Sequence, residues 1–202
     1  IKDQSEALCQ KVKEHDAKLG RIERKVAIHS DQLDIVIFTP HEDEDDPIGL
    51  ADIRKKIENE THMMFSRVVF DMKDGSEPQR FIDAVYKQSN LAFLVMTENK
   101  DVFILLVTSR ISNKTKATYS NDVTLFTVKR RGVEHFATFN ARNDDEERFY
   151  RLYADEPRGW LFFGEEGVGG IWVGGQNSRP TCCRLSRVFD GIQDDELIGS
   201  AG

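Results

Sequence analysis

The sequence contains little cysteine. Its three cysteines are Cys9, Cys182 and Cys183, an isolated residue and an adjacent pair, which match neither a C-x-x-C zinc motif nor a disulfide framework. A disulfide-stapled domain and a structural zinc site are therefore excluded, and we expect a protein of the cytoplasm, the nucleus or both, where thiols stay reduced. The chain starts at Ile1 without a charged and then apolar leader, so we expect no secretion signal.

Long hydrophobic runs and excess positive charge are also missing. The longest apolar runs cover six residues each, at Leu91–Met96 and Val102–Val107, whereas a membrane-spanning helix needs about 20. We therefore expect no contact with a membrane. Lys and Arg number 28 against 35 Asp and Glu, a formal net charge of −7. This charge repels phosphate, so nucleic-acid binding would require a local basic patch.

What the chain does contain suits one main globular domain with an additional element. It has 202 residues, of which 39% are hydrophobic, and this share excludes wholesale disorder. We predict three parts: a parallel coiled-coil dimerisation helix at residues 1–34, an extended acidic linker at 35–47, and a globular domain at 48–202.

The predicted coiled coil follows from apolar residues that recur at alternating spacings of four and three. The seam residues are Leu8, Val12, His15, Leu19, Ile22, Val26, His29 and Leu33, with Ile1 and Ser5 in the same series. A parallel dimer brings Lys11 opposite Asp16 and Lys18 opposite Glu23, whereas an antiparallel pair would bring like charges together. Paired seam histidines would form a pH-sensitive or metal-sensitive switch, although we favour rings that keep one nitrogen in water at the seam edge.

The predicted linker combines an extended run with an acidic block. Asp34–Pro40 is rich in β-branched residues and closes with proline, which indicates a strand or an extended exit from the helix. At His41–Asp46, no register supplies the alternating oxygen ligands, the glycine at position six and the glutamate at position twelve that a calcium-binding EF-hand loop needs together. We therefore interpret this block as a solvated linker and expect no bound metal or other cofactor.

The globular part alternates helix and strand signals and then becomes rich in strands. Apolar spacing predicts helices at about 47–59 and at Pro78–Lys87, on either side of a strand at Ser66–Phe70. The two apolar runs form a hairpin covered on both faces. Further strands are predicted at Val123–Lys129, Val133–Asn140, Phe149–Tyr153, Trp160–Phe163, Ile171–Val173 and Thr181–Leu185. The predicted fold class is α+β: a two-layer antiparallel β-sandwich flanked by helices.

Several segments in this order resemble the TLDc domain family, in a diverged form such as protists carry. The resemblance runs from about Phe65 to Gly199 and rests on the helix Pro78–Lys87 with the strand after it, and on the stretches Gly159–Gly164 and Gly167–Val173. It implies a helix-flanked β-sandwich, a link to protection against oxidative stress and, in several members, binding to the vacuolar proton pump. It implies no secure enzymatic activity, so no catalytic residue is carried over.

The glycines and aromatics of the last third of the chain have two interpretations each. Six glycines lie between Gly164 and Gly175, but they lack the Lys and Ser/Thr of a P-loop, so tight turns and close strand packing around Trp160 and Trp172 are the better explanation. The aromatics near them could stack nucleic-acid bases, but a β-core needs the same residues.

Chemically reactive residues are sparse. Cys182 and Cys183 are candidate redox thiols, because Arg179 and Arg184 are near enough in sequence to lower a thiol pKa, although structural cysteines remain the preferred interpretation. No G-x-S-x-G nucleophile motif occurs, and the five histidines do not cluster with a serine or cysteine. We predict no catalytic residue.

One candidate patch for nucleic acid or a protein partner lies at a hairpin tip. Lys129, Arg130 and Arg131 would stand together at the turn, and Lys114 and Lys116 in the preceding loop would extend the patch. An ordinary solvated turn explains the same residues.

These features support three hypotheses for function. The first is a non-enzymatic dimeric module that acts through protein contacts in a stress-related role. The second is a dimeric, sequence-specific DNA-binding transcriptional regulator that uses the hairpin-tip cations. The third is a thiol-dependent or hydrolytic enzyme, for which the sequence shows no assembled site.

The coiled-coil hypothesis makes a direct prediction. Sedimentation of the full chain should show a dimer, and replacing Val12 and Leu19 together by Asp should convert it to a monomer, because two charges per helix would be buried in the seam. An unchanged mass in the double variant would contradict the predicted seam.

Overall fold

The computed structural model describes residues 32–38, 49–72, 77–97, 100–143, 148–153, 160–165, 167–173 and 181–194. Two α-helices lie in this part of the chain, α1 (Leu50–Thr61) and α2 (Pro78–Val85), with a short 3-10 helix at Leu185–Arg187. The strands are β1 (Gln32–Phe38), β2 (Met64–Asp71), β3 (Leu91–Met96), β4 (Val102–Val107), β5 (Thr118–Tyr119), β6 (Val123–Arg130), β7 (Val133–Asn140), β8 (Phe149–Leu152), β9 (Leu161–Glu165), β10 (Gly169–Val173) and β11 (Thr181–Cys183). Neither α-helix is long and apolar enough to cross a membrane.

The strands form two sheets that share one core. The first sheet has six strands in the order β2-β1-β3-β4-β6-β7, and the second has five in the order β11-β10-β9-β8-β5. Buried side chains of both sheets, among them Phe93, Leu105, Phe163 and Ile171, belong to one hydrophobic cluster. The prediction of two packed β-sheets accompanied by helices is confirmed.

Strand β1 corrects the predicted boundary between coiled coil, linker and domain. It lies between β2 and β3 and runs parallel to both, so that Val36 pairs with Phe70 on one side and Phe93 on the other. The predicted linker at 35–47 is therefore wrong over its first four residues, and the first sheet is mixed rather than antiparallel. The extended run was visible in the sequence, but its partners lie about 30 and 60 residues away, and local patterning does not reveal such pairing.

Leu33, the last predicted seam residue, also belongs to β1. Its side chain is fully buried in the cluster that lies between the first sheet and α1. A residue that fills the core of its own domain is not available to a coiled-coil seam. The other predicted seam residues, from Ile1 to His29, and the acidic block at His41–Asp46 lie outside the described residues.

The hairpin of β3 and β4 confirms the prediction made from the two apolar runs. All twelve of its strand residues are buried. Phe93 and Leu105 face the core between the two sheets, whereas Leu94 and Ile104 face the core under α1. Continuous apolar runs replace polar alternation here because both faces of these central strands are covered.

Helix α2 closes the sandwich at one end. Pro78 starts it, and Phe81, Ile82 and Val85 form its buried side. The Phe81 ring centroid lies 5.5 Å from that of Phe70 and 5.8 Å from that of Trp160. The helix ends at Val85, two residues earlier than predicted, and Lys87 beyond it has a left-handed backbone with φ of 65°.

Glycine allows β9 and β10 to pack closely. A Cβ on Gly164 would lie 2.2 Å from the carbonyl oxygen of Gly169, and one on Gly170 would lie 2.5 Å from both the Phe162 ring and the Phe163 carbonyl oxygen. Any side chain at either position would have to displace backbone. Gly164 and Gly170 therefore serve strand packing, and Gly167, with φ of 80° and open space around it, serves the turn between the strands, as the sequence predicted.

Helix α1 caps the β2 edge of the first sheet at Phe65. Glu58 accepts a hydrogen bond from the Phe65 backbone N–H at 2.9 Å, and the Arg54 guanidinium donates to the Phe65 carbonyl oxygen at 3.1 Å. The Phe65 amide, and secondarily Arg54, lowers the pKa of Glu58. Because this pair bonds the backbone groups that an added strand would use, it blocks the edge at Phe65.

The position of β1 between β2 and β3 predicts the outcome of a truncation. A chain that begins at Gly49 removes β1 from between β2 and β3 and leaves both with unpaired backbone and apolar surface. We expect it to aggregate or to lack a cooperative thermal transition. The matched control, a chain that begins at Ser30, should unfold cooperatively. A well-folded chain starting at Gly49 would contradict this role of β1.

Candidate interaction surface

The β6–β7 hairpin tip is fastened to the β3–β4 turn. The buried carboxylate of Asp101, only 2% exposed as a residue, accepts a hydrogen bond from the Arg131 backbone N–H at 2.5 Å. The Gly132 N–H donates to the Lys100 carbonyl oxygen at 3.0 Å. Two turns that are 30 residues apart thus form one structural unit.

Four cations share this end of the first sheet: Lys100, Lys129, Arg130 and Arg131, called here the basic tip. Arg131 occupies the turn with φ of 50°, next to Gly132 with φ of 78°. The start of α1 adjoins the tip, since a Cβ on Gly49 would lie 3.9 Å from the Lys129 Nζ. The three hairpin cations that the sequence grouped together are therefore grouped in the structure.

The other two residues of the predicted patch lie elsewhere. Lys114 forms an ion pair with Asp83 of α2 at 2.5 Å, and its Nζ lies 4.9 Å from the centre of the Tyr86 ring. Lys116 is exposed in the same loop. This loop is near the Val107 end of β4, whereas the tip is near the Val102 end, about 17 Å away along the strand. The hydrogen bond from Lys114 lowers the pKa of Asp83.

Strand β7 forms the other edge of the first sheet. At its end, the Ala141 N–H donates to the Val123 carbonyl oxygen of the neighbouring chain segment, whereas the Asn140 carbonyl oxygen points outward and accepts from the Asp190 N–H. Because the bonding direction alternates along a regularly paired antiparallel strand, and β7 pairs regularly with β6 from Ala137 to Asn140, the backbone groups of Thr138 also point outward. In the part of the chain that the structure describes, Thr138 has no backbone partner on that side.

Apolar side chains accompany this open edge. Val133 is 69% exposed and Phe136 is 38% exposed, and the Phe136 ring stacks on Phe126 with centroids 6.2 Å apart. Glu134 forms an ion pair with Lys56 of α1 at 3.2 Å. Unpaired backbone and exposed apolar side chains are the features that added β-strands use for binding.

The remaining candidate residues do not assemble into a reactive site in the described part of the chain. Cys182 and Cys183 lie on β11, opposite Ile171 and Gly170, and their side chains fall outside the described residues, as Cys9 does entirely. Within the described ranges, no three His, Cys, Asp or Glu side chains come together as a metal site.

The aromatic residues near β8 and β9 mostly serve the core, as predicted. Tyr150, Trp160, Phe149 and Phe162 are all buried, between 1% and 8% exposed. The Tyr150 hydroxyl donates to the Arg110 carbonyl oxygen at 2.9 Å, and burial raises the pKa of this tyrosine. These rings are therefore not an open stacking platform for bases.

Sequence reasoning missed the two features that organise the surface. Asp101 looked like one polar residue of a turn, and its bond to Arg131 depends on two hairpins meeting in space. The open edge of β7 depends on strand order. The exposed alternation of Val133–Asn140 was a usable signal, because a strand with one polar face is often peripheral.

The fold thus defines the class of protein: a helix-flanked β-sandwich whose first sheet is mixed and whose second sheet is antiparallel. The family model of the TLDc domain matches residues 50–191, and the chain belongs to this family. The match begins after β1, the interior strand between β2 and β3 of the first sheet. No curated protein and no solved structure matches the chain at a significant level.

The hydrogen bond from the Arg131 N–H to Asp101 predicts that a substitution at Asp101 lowers stability. Asp101→Ala removes the acceptor of the Arg131 N–H and should lower the free energy of unfolding by about 1–3 kcal/mol. Asp101→Asn keeps an acceptor and should lose less. The exposed Asp122→Ala is the matched control and should change stability by less than about 0.5 kcal/mol. Equal urea midpoints for Asp101→Ala and the native chain would contradict this assignment.

Proposed function

We propose that the protein is a non-enzymatic TLDc module that works through protein contacts in a regulatory, stress-related role in the cytoplasm or nucleus. Its contact surface is the open edge of β7 together with the basic tip. The partner supplies an extended segment that carries acidic residues and adds to the first sheet as a further strand.

The observation that carries this proposal is the contrast between the two edges of one sheet. At the β2 edge, Glu58 and Arg54 occupy the N–H and carbonyl of Phe65. At the β7 edge, the outward groups of Thr138 have no such cover among the described residues, and the nearby Phe136 side chain is 38% exposed. An uncapped edge position beside an exposed apolar side chain favours strand addition there.

The positive charge of the basic tip favours a partner that carries acidic residues. The basic tip brings four cations to the start of β7, while the nearest carboxylate on that strand, Glu134, is already paired with Lys56. An extended segment with acidic residues opposite the tip would gain electrostatic attraction as well as backbone hydrogen bonds, which increases both specificity and association rate.

Pairing of two chains would strengthen such a contact. We include the N-terminal coiled-coil dimer in the proposal, with its seam limited to Ile1–His29 because Leu33 belongs to the core. Two linked domains can bind a two-site partner roughly 10²–10⁴ times more strongly than one domain does.

DNA is the second candidate ligand, and the same cations favour it. Lys129, Arg130 and Arg131 lie on a β-hairpin, an element that can enter a groove. Against this candidate stand the net charge of −7 and the attachment of the tip to the β3–β4 turn through Asp101 and Lys100. A tip held against a neighbouring turn cannot project as a free ribbon.

A peptide-binding experiment tests the proposal. Fluorescent eight-residue peptides of alternating Glu and Val should bind the full chain, and the same peptides with alternate backbone nitrogens methylated should not, because they cannot form the ladder. Thr138→Pro should abolish binding, since it removes an outward N–H while leaving the bonds to β6 in place. Arg130→Glu should weaken binding through charge.

The control variant is Asn121→Ala, an exposed loop change away from β7, which should bind as the native chain does. Two results would contradict the proposal: equal binding of methylated and unmethylated peptides, or tighter binding of a DNA duplex than of the peptide with a steep loss of affinity on adding salt.

A further inference from the structure

A polar cleft lies at the opposite end of the first sheet from the basic tip. It has a volume of about 420 Å³ and is lined by Gln32, Asp34, Ser66, Arg67, Lys87, Gln88 and Ser89. Its volume is in the range of small-molecule sites, roughly 300–1,000 Å³. It forms because β1 is parallel to both β2 and β3, so the amino ends of three strands meet at one place.

The loop that forms one wall is held in a fixed and unusual conformation. Lys87 and Asn90 both have left-handed backbones, with φ of 65° and 55°. The Lys87 N–H donates to the Ile111 carbonyl oxygen at 2.8 Å, and the Ile111 N–H donates to the Gln88 carbonyl oxygen at 2.9 Å. Non-glycine residues in this conformation cost energy and persist where surrounding structure holds them.

The cleft has polar groups that the described structure does not use. Within that part of the chain, the side chains of Gln32, Ser66, Gln88 and Ser89 make no hydrogen bond. Arg67 contacts Asp34 through Nε and one terminal nitrogen, both at 3.3 Å, a long distance for a charged pair.

Cations outnumber carboxylates around the cleft. Arg67 and Lys87 line it together with Asp34, and Arg110 lies behind, where its Nε donates to the Lys87 carbonyl oxygen at 3.1 Å. The carboxylate of Asp34 faces Arg67, whereas Lys87 pairs with no carboxylate in the described part of the chain and has its Nζ 5.3 Å from the centre of the Tyr86 ring. An anion entering the cleft therefore meets cations and hydroxyl donors.

From this geometry we infer that the cleft binds a small soluble sugar or polyol phosphate. The Lys87 ammonium, the Arg67 guanidinium and the serine hydroxyls suit the several acceptor oxygens of a phosphate group. Asp34 and the two glutamine amides suit the hydroxyls of the remainder of the molecule. The cleft is larger than a single phosphate ion needs, which favours a ligand with both parts.

The inference is tested by titrating the full chain with glucose 6-phosphate, inorganic phosphate and glucose, followed by amide chemical shifts. Glucose 6-phosphate should bind in a saturable manner, with shifts at Ser66 and at Lys87–Ser89, more tightly than phosphate, while glucose gives no saturable shift. Lys87→Gln should weaken the sugar phosphate about tenfold, the effect of losing one charge-assisted contact.

Lys55→Gln is the matched control, because it removes one exposed lysine of α1 that neither lines the cleft nor belongs to the basic tip. Its affinity for glucose 6-phosphate should equal that of the native chain. The inference is overturned if the two lysine variants lose affinity equally, if inorganic phosphate binds as tightly as the sugar phosphate, or if no saturable shifts occur at the cleft.

Discussion

The insertion of β1 between β2 and β3 is the constraint on which the rest of the structure depends. Val36 of this strand contributes to the core between the sheets, while Leu33, Ile35 and Ile37 contribute to the core under α1. Two parallel neighbours bring the amino ends of three strands together, and this creates the polar cleft. The antiparallel hairpins that follow turn at the opposite end of the sheet, where Asp101 joins their tips. Both candidate sites are therefore consequences of one strand position.

The two edges of the first sheet explain why contact is the function that fits best. Unpaired strand edges invite association, and proteins usually cover them. Here the Arg54–Glu58 pair of α1 caps the β2 edge at Phe65, whereas Thr138 of β7 keeps outward backbone groups without a partner among the described residues and Phe136 is partly exposed. The nearby cations add selectivity for acidic segments. The peptide-binding proposal thus requires no movement of the described elements, only an added strand.

Local patterns in the sequence predicted much of the fold. Two apolar runs predicted β3 and β4 with their first and last residues. The glycines predicted close packing of β9 on β10. The order of motifs indicated the TLDc family, which the family match confirmed.

Three features depended on distant segments and were not predicted: the partners of β1, the hydrogen bond that Asp101 accepts from Arg131, and the cleft assembled from three chain segments. Lys114 was misplaced for the same reason, because its partner Asp83 lies 31 residues earlier in the chain. The predicted coiled coil lies outside the described residues and stays a prediction.

Native-state hydrogen exchange on the full chain tests the central role of β1 most directly. The account predicts that the amides of Val36 and Ile37 exchange only through global unfolding, as slowly as those of Phe93 and Leu105 at the centre of the same sheet. Exchange of the β1 amides that is much faster than that of β3 and β4 would show a strand that detaches on its own. That result would contradict the account, because the cleft and the sheet order both require β1 to remain in place.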